Sequence, residues 1–478
     1  MSQTLTSTST IPLWINNKPI HTQTTIPITN ATSRETIHHA SSASPIEATQ
    51  AAASSLAAFK SWRSTPHTTR RALLQSVASH YATHAASLIA AQTAETSCTE
   101  AWATQNVHLS IAYLNEIAAQ ITSVTGVIPP TEKPHTTGFV FKEPVGPVLC
   151  IAPWNAALVL ATRGIASAIA VGCTVVFKAS EVCPHTHSLI TRAFAAAGCP
   201  EGVLNQVQCA REDAPVVTET LIAHEAIRKI EFIGSAEVGK RIMAVAARYL
   251  KPVLMELGGK CPAVVLEDAD LGEAARACAM GAVLHHGQIC FSTERIIVMD
   301  SVAEEFKTLL VEAMKGVEGA AGSAVSESIA KHAEDVIRDA QDRGDEVLVG
   351  GVDAESSSAG VVLRPTIIVD PSPHSRILDE ETFGPSASLY VVSSDEEAVA
   401  LANRSAYGLN ATVWTRDMGR FMKMSRELEY GQVHANSISV YTSPTGSQGG
   451  VKGSGFGRQN GQWGLDEFVV EKFVTWCG

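Results

Sequence analysis

The stretch Gly146-Pro147-Val148-Leu149-Cys150-Ile151-Ala152-Pro153-Trp154-Asn155 marks a change of texture in this 478-residue chain. A short apolar run ends on Pro-Trp-Asn, and an Ala-rich helical run over 156–170 follows. The unit then recurs: strands over 174–178, 203–207 and 229–233 alternate with helices over 185–197, 213–223 and 236–249. Short β-branched runs that alternate with helices predict a parallel sheet with helices on its faces. Ligands of such sheets bind at the carboxyl ends of the strands. The polar residues there are Trp154-Asn155, Lys178-Ala179-Ser180-Glu181 and Gly234-Ser235. A Gly-Ser turn opening a helix can hold a phosphate on free backbone N–H groups. No G-x-G-x-x-G is present, so the ordinary dinucleotide fingerprint is missing.

Upstream, 11–40 contains short strand-like pieces with Asn16-Asn17 between them. Ser44-Pro45 reads as an N-cap with Pro at the first helical position, opening a helix to about Arg63. Thr65-Pro66 repeats the device, and helical periodicity continues to about Ile121. Downstream, a second alternating series begins near Pro262: strands over 263–266 and 296–299, helices over 270–284 and 302–317. Residues 351–360 read as an exposed loop. The expected fold class is α/β with two lobes, and the length supports two or three domains.

Between the series lie two loops of chemical interest. Met255-Glu256-Leu257-Gly258-Gly259-Lys260 turns on two glycines and carries a carboxylate. His285-His286-Gly287-Gln288-Ile289-Cys290 presents a thiol at the end of a helical run. A thiol and a carboxylate from separate loops suggest a nucleophile and its base. The bland alternative for Cys290 is one more buried thiol, as expected for the other nine cysteines.

Net charge is −12 and spread along the chain, which argues against nucleic acid or an anionic membrane as partner. The cysteines have no Cys-x-x-Cys spacing, so no metal site is expected. Met1 to Thr10 lacks the features of a signal or transit peptide, and no apolar run is long enough to span a bilayer. A soluble, cytoplasmic protein with reduced cysteines is expected.

Taken together, Ala152-Pro153-Trp154-Asn155, Lys178-Ala179-Ser180-Glu181, Phe232-Ile233-Gly234-Ser235, Met255-Glu256-Leu257-Gly258-Gly259-Lys260, Gly287-Gln288-Ile289-Cys290, Glu381-Thr382-Phe383-Gly384-Pro385 and Lys452-Gly453-Ser454-Gly455 resemble the aldehyde dehydrogenase superfamily. They occur in that family's order over nearly the whole chain. The stretches 154–163, 180–187 and 288–295 look most like its salicylaldehyde, vanillin and benzaldehyde dehydrogenase branch.

The resemblance implies a Rossmann-type NAD-binding lobe (1–124 and 143–256), a catalytic lobe (257–445) and a β oligomerisation arm (125–142 and 446–478), with a homodimer or homotetramer as assembly. It implies that Cys290 attacks an aldehyde to give a thiohemiacetal and then a thioester, that Glu256 activates the hydrolytic water, and that Asn155 joins the Cys290 backbone N–H in an oxyanion hole. Glu256, flanked by Met255 and Leu257, is expected in an apolar setting that favours its protonated form.

For the cofactor, Lys178 and Glu181 would face the adenosine ribose, and Gly234 and Ser235 the pyrophosphate. Glu381 would hold the nicotinamide ribose, with Phe383 and Trp154 beside the cleft. A glutamate at 181 disfavours a 2′-phosphate, so NAD is expected; the neighbouring lysine leaves NADP open.

Several positions depart from the family pattern. His285-His286 stand where Asn-x is usual; a role for His285 at the substrate is weighed against one histidine capping the helix and the other lying exposed. Ser443 to Gly450 lacks the usual aromatic, and Gln459 replaces a common glutamate. Arg163 and Tyr441 are candidate contacts for a phenolic oxygen or aromatic ring of the substrate, against a surface Arg and a packed Tyr. The rival readings are an aliphatic or secondary-metabolite aldehyde as substrate, or a cysteine hydrolase using Cys290 with His285 or His286.

Overall fold

A computed structural model describes residues 6–353 and 360–478. Most of the loop expected at 351–360 lies outside the described residues. The first alternating series forms the parallel centre of an eight-stranded sheet. Val148–Ile151 lies between Lys229–Ile233 and Val175–Lys178, all parallel and nearly wholly buried. Val253–Glu256 adds beside Lys229–Ile233, so Ile233 and Glu256 are register partners and their chain ends open on the same side. The second series forms a seven-stranded sheet in which Cys261–Val265 pairs with both Thr293–Met299 and Asn410–Trp414. Each sheet carries apolar cores on both faces, as crossover helices require.

The helix Ala157–Val171 follows directly from Asn155, and every one of its residues is buried. Its sequence, ALVLATRGIASAIAV, is apolar all round, which suits a helix enclosed by protein on every side. Its single charged side chain, Arg163, is therefore forced into the interior. The helix ends on Gly172 at φ 100°, a left-handed cap that glycine adopts without strain.

Local signals at the N-terminal helices act as expected. Ser44 and Glu47 form a reciprocal capping box ahead of Pro45–Trp62, a device worth about 1 kcal/mol. The helical region after Pro66 is three helices, His67–Thr83, Ala85–Thr96 and Glu100–Gln120. One break falls at Ser97, whose φ of 52° is left-handed, and Thr99 recaps the chain by accepting from the Trp102 N–H.

Thr136–Pro144 pairs antiparallel with Val469–Cys477 over nine positions, forming a separate two-stranded arm. Gly455–Phe456 instead joins the first sheet beside Val253–Glu256, so the segment after 446 serves the sheet as well as the arm. Eight cysteines are buried, Cys290 is half-buried and Cys477 is exposed; the expectation of nine buried thiols fails at Cys477, on an arm strand exposed along its length. No helix among the described residues is long and apolar enough to cross a membrane.

Candidate active site

The two sheets bring Glu256 and Cys290 together. The Cys290 Sγ lies 4.0 Å from Glu256 Oε1, although 34 positions separate them in sequence. The turn that presents Cys290 is fixed by Gln288. Its side chain donates to the carbonyls of His285 and Ser323 and accepts from the Val325 N–H. Gly259 is needed opposite, because a Cβ there would overlap the Cys290 carbonyl. Burial, and next the Glu256 carboxylate, push the Cys290 thiol well above the usual thiol range, so the resting group is the thiol.

Asn155 stands beside this pair. Its Nδ2 donates to the Gln288 carbonyl at 3.0 Å, its Oδ1 is buried without a partner among the described residues, and its own carbonyl accepts from Trp102 Nε1 at 3.0 Å. Asn155 and Cys290 line two cavities at once, one on each side.

The first cavity, about 330 Å3, is walled by Trp154, Phe383, Gly234, Ser235, Glu256 and Glu381. Trp154 and Phe383 meet edge to face at 5.9 Å. Ser235 caps Ala236–Arg248 by accepting from the Val238 N–H, so the plain cap reading holds, and the helix N-terminus opens toward the cavity wall. Glu381 accepts from the Gly259 N–H at 2.9 Å; burial, then the charge of Glu294, push it up to about 8. Lys178 is buried at its strand end and Glu181 half-buried just beyond; neither lines this cavity.

The second cavity, about 460 Å3, is more aromatic: Trp102, Tyr113, Phe291 and Tyr441 line it, with Leu160 and Arg163. Tyr113 OH and Thr442 Oγ1 are 2.7 Å apart, and the Arg163 guanidinium lies 5.9 Å from the Tyr113 ring centroid. Tyr441 is 45% exposed, at the mouth.

Three expectations change. Glu256 is buried but not in an apolar setting: Arg163 Nη2 donates to Oε2 at 2.8 Å, and Gln448 Nε2 donates to both oxygens at 3.1 and 3.2 Å. For Arg163 the alternative of a surface residue fails: it is 2% exposed, and its Nε has no hydrogen-bond partner among the described residues. His285, expected at the substrate, stacks on Trp102 at 5.3 Å and does not line the second cavity. Neither histidine caps a helix or lies exposed: both are buried at left-handed φ, 51° and 59°. Burial pushes His285 down to about 3 and His286 to about 4, so both are neutral.

Sequence reasoning missed three sets of buried polar contacts. Gln448 reaches Glu256 from a segment whose only signal was a departure from the family pattern. Lys260 and Glu294 form a buried ion pair that gathers the 380–383 loop: Lys260 Nζ donates to the Glu380 carbonyl, and Glu294 accepts from the N–H groups of Thr382 and Phe383. No spacing in the sequence announces that contact. Glu231, buried inside the first sheet, accepts from Gln459 Nε2 at 2.8 Å and from Cys150 Sγ at 3.2 Å.

A thiol, a carboxylate and an amide meet at the junction of a cleft and an aromatic cavity, an arrangement with the residue types of an enzyme active site and room for two reactants. The aldehyde dehydrogenase family matches residues 17–474, and the chain belongs to that family. It is an NAD(P)-dependent aldehyde dehydrogenase. It is 37% identical to salicylaldehyde dehydrogenase of Pseudomonas putida over 474 residues, 97% of each chain, and 36% identical to vanillin dehydrogenase of Pseudomonas fluorescens over 475 residues, again 97% of each. The crystal structure of a salicylaldehyde dehydrogenase from Pseudomonas putida G7 complexed with salicylaldehyde superposes with a TM-score of 0.94 at 36% identity, covering 98% of both chains. Betaine aldehyde dehydrogenase from Staphylococcus aureus in complex with NAD+ gives 0.92 at 28% identity, covering 98% of this chain and 94% of that one. Membership removes the hydrolase alternative.

Proposed function

We propose that this enzyme oxidises an aromatic aldehyde to the carboxylic acid with NAD, using Cys290 as nucleophile, Asn155 as oxyanion donor and Glu256 as base. The carrying observation is the placement of Cys290 and Asn155 between an aromatic cavity and a cleft that ends at Ser235, with Glu256 within 4.0 Å of the thiol. The aldehyde enters on the side of Trp102 and Tyr441. Cys290 gives its proton to Glu256 and its sulfur adds to the carbonyl carbon. The new oxyanion is met by the free N–H of the Asn155 amide, a type of contact worth about 10²–10³ in rate. A nicotinamide held in the cleft beside Trp154 and Phe383 would supply the hydride acceptor. Glu256 passes that first proton to solvent and then draws one from water; the hydroxide attacks the thioester, the acid leaves, and Glu256 returns its proton to the Cys290 sulfur.

The cleft fits the cofactor: a helix N-terminus at Ser235 suits a pyrophosphate, and Trp154 with Phe383 gives a slot for a flat ring. Glu181 supports NAD over NADP, with Lys178 beside it, and Glu381 is assigned to the nicotinamide ribose. Arg163 and Tyr441 are the residues assigned to a phenolic oxygen and the ring; the partnerless Nε of Arg163 supports this. The relatives acting on salicylaldehyde and vanillin support the aromatic class.

The NAD-binding unit is 1–124 with 143–256, the catalytic unit 257–445, and the arm 125–142 with 446–478. Exposed Phe141, Val470, Phe473 and Trp476 on the arm favour a homodimer or homotetramer in the cytoplasm. NADH formation across aliphatic, hydroxylated benzoic-type and polyene aldehydes, with Cys290→Ala as control, tests the substrate class. Higher kcat/KM for short aliphatic aldehydes than for every aromatic one overturns it. Light scattering that gives a monomer overturns the assembly.

A further inference from the structure

To act on the thiol, Glu256 has to turn one oxygen toward the Cys290 sulfur, and Arg163 does not secure that by itself. The guanidinium donates through Nη2 to Oε2 of Glu256 at 2.8 Å. A contact at one oxygen leaves the carboxylate free to turn about the bond that carries it, a torsion with a broad minimum. The second hold comes from Gln448, 1% exposed, whose Nε2 donates to the Glu256 Oε1 at 3.1 Å and to its Oε2 at 3.2 Å. A donor astride both oxygens, added to a cation on one of them, fixes the plane of the group. Oε2 is then the anchored oxygen, and Oε1 is the one that faces the Cys290 Sγ at 4.0 Å.

The amide of Gln448 can stand only one way round. Asn460 Nδ2 donates to the Ser443 carbonyl at 3.0 Å, and a backbone carbonyl can only accept. The same Nδ2 lies 3.3 Å from the Gln448 amide oxygen, which therefore accepts from it and leaves the Gln448 Nε2 for Glu256. Thr442 Oγ1 also donates to that amide oxygen; with its one proton used, it accepts from Tyr113 OH at 2.7 Å. The main chain of Gln448 is pinned as well. It exchanges two backbone hydrogen bonds with Gln459, and Gly449 beside it has no Cβ to overlap the Gly457 carbonyl. We propose that Gln448 is a positioning residue for the reaction, holding Glu256 with Oε1 turned to the thiol and itself set by Asn460 and by the hydroxyls of Thr442 and Tyr113. This inference rests on the reading of Glu256 as the base.

The hold works through distance and direction, without any change in the acidity of Glu256. Proton transfer depends steeply on both: a misplacement of about 1 Å can cost about 10²-fold in rate. Gln448 also lines the aromatic cavity, together with Tyr113 and Thr442, so direct contact with the aldehyde is the competing role. The two roles part in kinetics. Loss of a contact made equally to bound substrate and transition state raises KM and leaves kcat. Loss of a hold on the base lowers kcat, and the effect vanishes once the base is gone.

The test is steady-state kinetics with benzaldehyde and NAD in Gln448→Met, a side chain of similar length without an N–H. There kcat should fall about tenfold or more, with KM for both reactants within about twofold of the unsubstituted enzyme. In a Glu256→Gln background the same substitution should add no further loss. Thr442→Val removes the hydroxyl that sets the amide and should lower kcat about three- to fivefold; Thr442→Ser, which keeps it, should recover kcat. If Gln448→Met does not fold, the Thr442 pair carries the test. An unchanged kcat in folded Gln448→Met, a raised aldehyde KM with kcat kept, equal losses with and without Glu256, or equal losses in Thr442→Val and Thr442→Ser overturns the inference. Glu256→Gln separates the two readings: turnover retained there removes the base itself, whereas turnover lost there with kcat unmoved in Gln448→Met removes only the positioning.

Discussion

The two cavities that meet at Cys290 are built differently. The side we assign to the cofactor is made by strand-end motifs: Trp154, Gly234-Ser235, Glu256 to Gly258 and Glu381 to Phe383, each a short contiguous piece. The side we assign to the substrate is made by isolated side chains from distant segments: Trp102 and Tyr113 from one helix, Arg163 from another, Phe291 from the thiol turn, and Tyr441 with Gln448 from the C-terminal region. A cofactor shared across many reactions can be held by fixed backbone turns, whereas a substrate is selected by side-chain shape. The first side should therefore respond to mutation as a unit, and the second residue by residue.

The largest break should come at the junction. Cys290→Ala should reduce NADH formation by at least about 10⁴-fold, since no other group can carry the acyl chain. Calorimetric NAD affinity should be unchanged, because the thiol lies at the far end of the cleft. Asn155→Ala should lower kcat by about 10²–10³, with little change in aldehyde KM. A rise in KM with kcat preserved would assign Asn155 to binding and move it wholly to the substrate side.

Arg163→Met cuts into the substrate side and the base together. It leaves Glu256 buried without its cation, so urea unfolding should show a loss of about 3–5 kcal/mol. kcat/KM for hydroxylated benzaldehydes should fall more than for benzaldehyde itself; equal losses would remove Arg163 from substrate recognition.

The smallest effect concerns the histidine pair. His285 and His286 are neutral when folded, at about 3 and 4, and ionise near 6.5 when unfolded. The unfolded chain binds the extra protons, so stability present above pH 6.5 is lost as pH falls toward 4. Each histidine contributes up to about 1.4 kcal/mol per pH unit. His285→Asn should reduce this slope in urea titrations and fit the left-handed backbone at least as well. An unchanged slope would mean that His285 is protonated in the folded enzyme.

Much of the frame was legible from local pattern. Ser44-Pro45 capped its helix, the alternating runs after Gly146 became the first parallel sheet, and the motif order identified the family. The proposed cofactor side was legible because strand-to-helix turns impose local demands on residue type, such as the capping Ser235 ahead of its helix. The substrate side was legible only in part: Arg163 and Tyr441 stood out as candidate contacts, but the hold of Arg163 and Gln448 on Glu256 did not, because nothing within their own segments refers to Glu256.

By itself, the sequence determined which residues are strand, helix and turn, since those choices follow from backbone sterics and apolar periodicity over a few neighbours. It also carried Cys290, Glu256 and Asn155, the residues proposed to do the chemistry. Only the tertiary structure decided what surrounds that chemistry: a guanidinium and an amide on Glu256, a second carboxylate behind them, and an aromatic cavity across from the cleft. Charge and burial depend on atoms brought close from far along the chain, and such contacts leave no trace in local spacing.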